Sequence, residues 1–237
     1  MFKLALGAGH GSGTPGKRCH KSLDPNETRE WWLNDRICDY IEDGLKDYEG
    51  VSVLRLDDSD DGQDDIALAA RVSAANTWGA DFYLSIHHNA LGKVFSGGGI
   101  MAYTHPKSSS QAVRWRNELY EQLIADTGLR GNRATPRTVG DFYVLRKTKA
   151  PAVLLEMGFM DSSADVPIIL SDDYARKAAA AIVDVIVERA ELVRKQVEEE
   201  PGTLYRVQVG AFSSKANAEK LSKELAAKGY QVYITRT

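Results

Sequence analysis

Phe2-Lys-Leu-Ala-Leu-Gly-Ala-Gly-His10, Asp81-Phe-Tyr-Leu-Ser-Ile-His87 and Pro151-Ala-Val-Leu-Leu-Glu156 are three strand-like apolar runs, and each ends on a side chain able to bind a metal. Helix-like segments separate them, and that alternation predicts an α/β fold with an open, mostly parallel sheet of about six strands. In such a sheet the carboxyl ends of the parallel strands share one edge, where ligands bind. Residues more than a hundred positions apart in sequence are thereby expected at one site. Two imidazoles and a carboxylate suit a catalytic zinc, which keeps three protein ligands and one open position. A hydrolase follows as the leading expectation.

Outward from these runs, the pattern predicts a helix from about Glu30 to Asp47 carrying Trp32, Ile37, Ile41 and Leu45 near one face. Val51–Leu56 follows as a strand, then a helix from about Asp64 to Trp78 that exposes Arg71 and Asn76. Gly97–Tyr103 is read as a strand, 108–126 as an amphipathic helix, and Phe142–Leu145 as a short strand. The last helix of this body starts near Asp172 and is expected to run toward Glu200. Its charged second half would project as a stalk, ended by Pro201-Gly202. Leu204–Thr237 reads strand–helix–strand, too small to fold alone without staples. The domain expectation is therefore 1–190 for the main body, 191–203 for a helical stalk and 204–237 for a small module.

Composition sets the class. The 237 residues, 43% hydrophobic and 27% charged, are ordinary for a soluble globular protein, and a net charge of −3 gives no global attraction to nucleic acid or anionic membrane. No window approaches the ~18 apolar residues of a membrane span. Asp57-Asp58-Ser59-Asp60-Asp61 and Asp64-Asp65 read as a solvated turn and helix start in preference to a calcium site. Cys19 and Cys38 define no disulfide framework and are expected as reduced thiols. The chain opens directly into a strand, so synthesis in the cytoplasm without a signal peptide is expected.

Among the candidate site residues, His10 follows a Gly-x-Gly turn. His87 and His88 are adjacent on a strand and point to opposite faces, so one of them serves the site. Glu156 closes an apolar run, where a carboxylate is costly unless paired or bound. Glu30 begins the helix after the first strand, and Glu27 fills the same niche by spacing alone. His20 and His105 fall in loops and read as surface residues.

These motifs carry a resemblance. Residues 3 to about 190 resemble the zinc-dependent N-acetylmuramoyl-L-alanine amidases of the amidase-3 family. The shared motifs begin with Gly9-His10-Gly11, Glu30-x-x-x-Asn34, Arg71-x-x-x-Ala75-Asn76, Ala80-Asp81 and Ser85-Ile86-His87-x-Asn89-Ala90. Val144-Leu145-Arg146-x-Thr148 and Pro151-Ala152-Val153-Leu154-Leu155-Glu156-x-Gly158-Phe159 complete them. The resemblance implies a Zn2+ cofactor held by His10, Glu30 and His87, with Glu156 as the catalytic carboxylate. Asn34 selects Glu30 over Glu27, and the Ser-Ile-His-x-Asn pattern selects His87 over His88. Asn89 and Arg146 are carried over as substrate-binding residues. The first motif departs from the family's Asp-Pro-Gly-His-Gly-Gly in the loop and keeps the ligand. Leu91 to Ser110 looks too short for the occluding helix of regulated members, so an open site is expected.

The tail, Tyr205-Arg-Val-Gln-Val-Gly-Ala-Phe212 with Asn217, Ala218, Leu221, Leu225 and Gly229, is similar to the opening of a SPOR domain. That resemblance implies binding to peptidoglycan glycan strands stripped of stem peptides. The open edge at Tyr230–Thr235 leads to the expectation of a homodimer through residues 204–237. The implied reaction is cleavage of the amide between the lactyl group of N-acetylmuramic acid and L-alanine. A phage endolysin released by a holin is the expected setting. A host autolysin of the same activity, a zinc carboxypeptidase using Arg146 as carboxylate clamp, and a non-catalytic wall-binding protein are the alternatives.

Overall fold

The structure is a computed structural model that describes residues 1–58, 60–129, 131, 135–196 and 208–235. It divides into two compact units, Met1–Lys195 and Gln196–Thr237. The first holds the six-stranded sheet. Its strands are β1 (Phe2–Ala8), β2 (Val51–Arg55), β3 (Phe82–Asn89), β4 (Met101–Thr104), β5 (Arg137–Val139) and β6 (Ala152–Phe159), in the order β2-β1-β3-β6-β4-β5. All pairings are parallel except β4 against β6.

β1 has β2 on one side and β3 on the other, so the chain reverses direction across the sheet at the β1/β3 boundary. This is the switch point at which open α/β sheets form a crevice. Helix α1 (Glu30–Leu45), which leads from β1 to β2, covers one face. Helix α2 (Leu68–Trp78), which leads from β2 to β3, covers the other, as right-handed crossovers require.

The larger core lies on the α1 face, joined by α3 (Ser110–Thr127) and α6 (Asp172–Arg189). Leu4, Leu6, Phe82, Leu84, Ile86, Val153 and Leu155 from the strands meet Ile37, Ile41, Trp115, Leu119, Ile182 and Ile186. Phe82 stacks on Trp115 with centroids 4.1 Å apart, an arrangement worth about 0.5–1.5 kcal/mol beyond its burial. The smaller core, on the α2 face, joins Ala5, Tyr83 and Leu154 to Val72, Val144 and Leu145.

Several elements differ from the sequence expectation. Trp32 is 60% exposed and Trp31 takes its place in the core. Arg71 is buried, and Asn76 is half-buried, bonded to the Lys147 carbonyl and the Lys149 N–H. Gly97-Gly98-Gly99 all adopt positive φ, which ends any strand there and shortens β4 to Met101–Thr104. Phe142–Leu145 is no strand: α4 (Tyr143–Lys147) occupies it, and the strand at that edge is Arg137–Val139.

Helix α6 stops at Arg189, short of the expected Glu200. Glu191 takes φ 51°, and the chain turns back so that Arg194 bridges Tyr48 and the Lys195 N–H bonds the Asp47 carbonyl. Residues 190–195 are therefore part of the main unit and form no helical stalk. The remainder of the expected stalk lies outside the described residues.

Within the described residues of the second unit stands one helix, α7 (Lys215–Ala227). The strand expected over Tyr205–Val209 lies mostly outside the described residues. Val209, Phe212, Tyr230, Tyr233 and Ile234 are all exposed. No helix among the described residues is long and apolar enough to cross a membrane.

Candidate metal centre and active site

His87 and Glu156 are direct partners in the β3–β6 ladder. Side chains alternate along a strand, so both project to the α2 face with Tyr83 and Leu154. His88 projects to the other face, where it is 2% exposed and its Nδ1 lies 2.8 Å from Asn34 Oδ1 on α1. The expectation that the two histidines part company is met, with His87 on the side of the carboxylate.

His10 lies just past β1 in the left-handed region, φ 65°. Gly9 before it packs flat against the His87 ring, since a Cβ there would stand 2.1 Å from His87 Cε1. The two imidazoles meet edge to face with centroids 5.1 Å apart. Glu30 reaches them from the first turn of α1. Its Oε1 is 3.4 Å from His10 Nε2 and 3.2 Å from His87 Nδ1, and it accepts the His88 backbone N–H at 3.2 Å. Nitrogen and oxygen donors of all three residues fall within 4.8 Å of one another.

The electrostatics match. Burial pushes the Glu30 carboxyl up, but the His87 hydrogen bond and the charges of His87, His10 and Lys17 outweigh it and hold the group down at about 2. Burial lowers His10 to about 4 against the pull of Glu30, so its imidazole is neutral at pH 7. A neutral imidazole and an ionised carboxylate are the forms that bind a metal. The residues therefore fit the divalent ion that their chemistry suggests. His88, driven to about 3 by burial, is also neutral, but it faces Asn34.

The loop that carries His10 is clamped from below. The Arg71 guanidinium donates to the Ala8 carbonyl at 2.5 Å, the His10 carbonyl at 3.0 Å and the Ile66 carbonyl at 2.8 Å. Asn34 adds a bond from Nδ2 to the Gly9 carbonyl, 3.1 Å. Asp65 accepts from the Thr14 hydroxyl, which in turn accepts the Gly11 N–H. Asp57 accepts the Ala8 N–H at 3.0 Å and pairs with Arg55. The acidic run is thus partly structural, a role that no local pattern signals, because an Asp-rich turn reads as solvated.

A cleft of about 220 Å³ opens at this edge, lined by Lys17, Glu30, His87, His88, Asn89 and Glu156 among others. Asn89 lies in it, its Oδ1 accepting the Ala90 N–H. Arg146 lies elsewhere: its guanidinium pairs with Asp141 and sits 5.8 Å from the Tyr143 ring. Glu27, the rival to Glu30, pairs with Arg18 at 3.3 Å and takes no part in the cluster. His20 and His105 bond to Ser22 and Asp141. Between Asn89 and Ser110 the chain forms β4 and turns, with no helix to cover the cleft. Cys19 and Cys38 are both buried thiols, raised by burial.

Comparison with known proteins agrees with this geometry. Residues 4–188 match the family described as N-acetylmuramoyl-L-alanine amidase, and residues 201–237 match the SPOR domain. The chain is 30% identical over 234 residues to the N-acetylmuramoyl-L-alanine amidase CwlM of Bacillus licheniformis, covering 99% of this chain and 85% of that one. It is 31% identical over 237 residues to the sporulation-specific N-acetylmuramoyl-L-alanine amidase of Bacillus subtilis, covering 99% and 84%. Among solved structures, the catalytic domain of CwlV from Bacillus (Paenibacillus) polymyxa superposes with a TM-score of 0.68 at 26% identity, over 81% of this chain and 99% of that one. A Clostridium difficile amidase shares the fold, with a TM-score of 0.71 at 22% identity over 80% of this chain and 97% of that one. With its candidate metal cluster at the switch point and the family match spanning the whole sheet, the chain belongs to the N-acetylmuramoyl-L-alanine amidases, hydrolases of the cell wall.

Proposed function

We propose that the protein cleaves the amide between the lactyl group of N-acetylmuramic acid and the L-alanine of the stem peptide, with zinc held by His10, Glu30 and His87. The observation that carries this is the convergence of those three donors beside Glu156, which stands opposite His87 in the sheet. Zinc bound there would supply a Lewis acid for the scissile carbonyl and lower the pKa of water. Glu156, lining the same cleft, is the carboxylate that would accept a proton from water and return it to the departing alanine nitrogen. His10 and His87 are the nitrogen ligands of that zinc, oriented by the clamped loop and by the Gly9 contact. Asn89 is placed in the cleft to hold the substrate. The SPOR match supports a second contact with peptidoglycan through the tail.

Both relatives named above are bacterial, and one is sporulation-specific by name. The endolysin expectation gives way to its alternative, a bacterial wall hydrolase of the same activity. The carboxypeptidase alternative rested on Arg146, which lies outside the cleft. The non-catalytic alternative sits poorly with a sheet edge that brings His10, Glu30 and His87 together beside Glu156. The test is digestion of purified peptidoglycan with zinc-loaded and chelator-treated protein, followed by mass spectrometry of the new termini. Intact stem peptides with free L-alanine amines are expected from the zinc form only. Release of single terminal amino acids would overturn the amidase assignment.

A further inference from the structure

Lys17 is the one lysine or arginine among the described residues that line the cleft. Its backbone is fixed to the start of α1, because its carbonyl accepts the Glu30 N–H at 3.0 Å. Its side chain is 41% exposed and reaches back so that Nζ stands 3.6 Å from Glu30 Oε2. That is longer than the ~2.7–2.9 Å of a charge-assisted hydrogen bond. Glu30 therefore holds the ammonium at the cleft by its charge without saturating the donors. Arg18, the next residue, is committed to Glu27 at 3.3 Å.

The other charged groups lining this cleft are the carboxylates of Glu30 and Glu156. An acidic peptide entering there meets Lys17 as the lining side chain of opposite charge. Glu30 turns Oε1 toward both imidazoles. An ion shared by those three residues draws on the Glu30 charge and leaves that of Lys17 facing the cleft. A lysine ammonium is a compact charge on a flexible stem, suited to meeting a carboxylate of variable position. A carboxylate on the residue after the scissile alanine lies within roughly 7 Å of the scissile nitrogen, the extended length of two residues. Lys17, with its ammonium 3.6 Å from Glu30, stands at the same edge of the cleft as the three donors.

We propose that Lys17 binds a free carboxylate on the stem-peptide residue that follows L-alanine, making the enzyme selective for acidic over amidated stems. This rests on the amidase reading above. The test is steady-state kinetics of the full zinc-loaded chain on two soluble muramoyl peptides that differ only in a carboxylate or carboxamide at that residue. Wild type should show a kcat/KM roughly tenfold higher for the acid, carried by KM, as fits one charge-assisted contact. Lys17→Met should erase the difference while zinc content, measured by mass spectrometry, stays unchanged. Lys17→Arg should keep the preference, and Lys17→Glu should reverse it. Equal cleavage of both peptides by wild type, or a preference that survives in Lys17→Met, would overturn the proposal. So would loss of zinc from Lys17→Met, which would make Lys17 a positioning partner of Glu30. Cleavage of neither peptide by wild type would instead remove the amidase reading on which the proposal stands.

Discussion

His87 and Glu156 face each other across the β3–β6 ladder and leave the sheet on the same side, while His88, one residue on, leaves on the other. Strand parity alone divides the candidate metal ligand His87 from His88, which bonds Asn34. His10→Ala or His87→Ala should therefore strip zinc from the protein, as treatment with a chelator does. His88→Ala should keep its zinc and instead lose about 1–3 kcal/mol of stability, because Asn34 Oδ1 is left buried without its imidazole partner. Metal analysis and urea unfolding on the three variants check this. Loss of zinc from His88→Ala with retention in His87→Ala would reverse the assignment.

Glu156 can be separated from the ligands by a change that keeps its shape. Glu156→Gln should bind zinc and unfold like wild type while losing turnover by ~10²-fold or more, the scale of a missing general base. Near-normal hydrolysis by the zinc-replete variant would end the catalytic role.

Gly9 is the place where backbone meets the His87 ring. In Gly9→Ala the added methyl would need the space of His87 Cε1, 2.1 Å away, so the ring must rotate out of the cluster. The expected result is weakened zinc binding in a chain that still folds, read by competition with a coloured chelator and by far-UV circular dichroism. Unaltered zinc affinity would show that the ring tolerates the shift.

Arg71 marks where the sequence was hard to read. The fold class and the meeting of His10, one of the His87–His88 pair and Glu156 follow from apolar runs that end on polar residues, whereas Glu30 over Glu27 and His87 over His88 follow from the family resemblance. Arg71 was assigned to an exposed face because arginines in helices are usually solvated. Nothing local to the sequence reveals that two of its donors meet the carbonyls of Ala8 and His10, some sixty positions away. The same holds for Asp57, whose partner Ala8 lies 49 positions away. Phe142–Leu145 failed for a different reason: a four-residue apolar run fits a strand or a helical turn equally, and packing decides. Gly97–Gly99 were taken into a strand although their positive φ values exclude it.

The clamp itself is testable. Arg71→Met would leave the Ala8, His10 and Ile66 carbonyls without their donor, at roughly 1–3 kcal/mol for each that water cannot reach. Both stability and zinc affinity should fall, because the His10 loop loses its support. A variant with lower stability but undiminished zinc affinity would show that the bonds from Asn34, Thr14 and Asp57 hold the loop without Arg71.

The last prediction concerns pH. Arg55 is shared by four carboxylates, pairing with Asp35 at 2.5 Å, Asp39 at 2.7 Å, Asp57 at 3.0 Å and Glu42 at 3.5 Å. One guanidinium cannot neutralise four acids, so one of them keeps its proton. Burial, helped by the charge of Asp39 and opposed by Arg55, raises Asp35 to about 7. A carboxyl raised in the folded state binds a proton there that the unfolded chain has already released. Its contribution to stability is present below the ordinary carboxylate range near 4 and is lost as pH rises through about 7. Asp35→Asn removes this dependence while keeping the side chain's size. The variant should unfold at higher urea than wild type at pH 8, by a margin that narrows as pH falls through 7 and closes only near 4. If Asp35→Asn is instead less stable at pH 8 than at pH 5 relative to wild type, then Asp35 is ionised and the Arg55 pair is net stabilising.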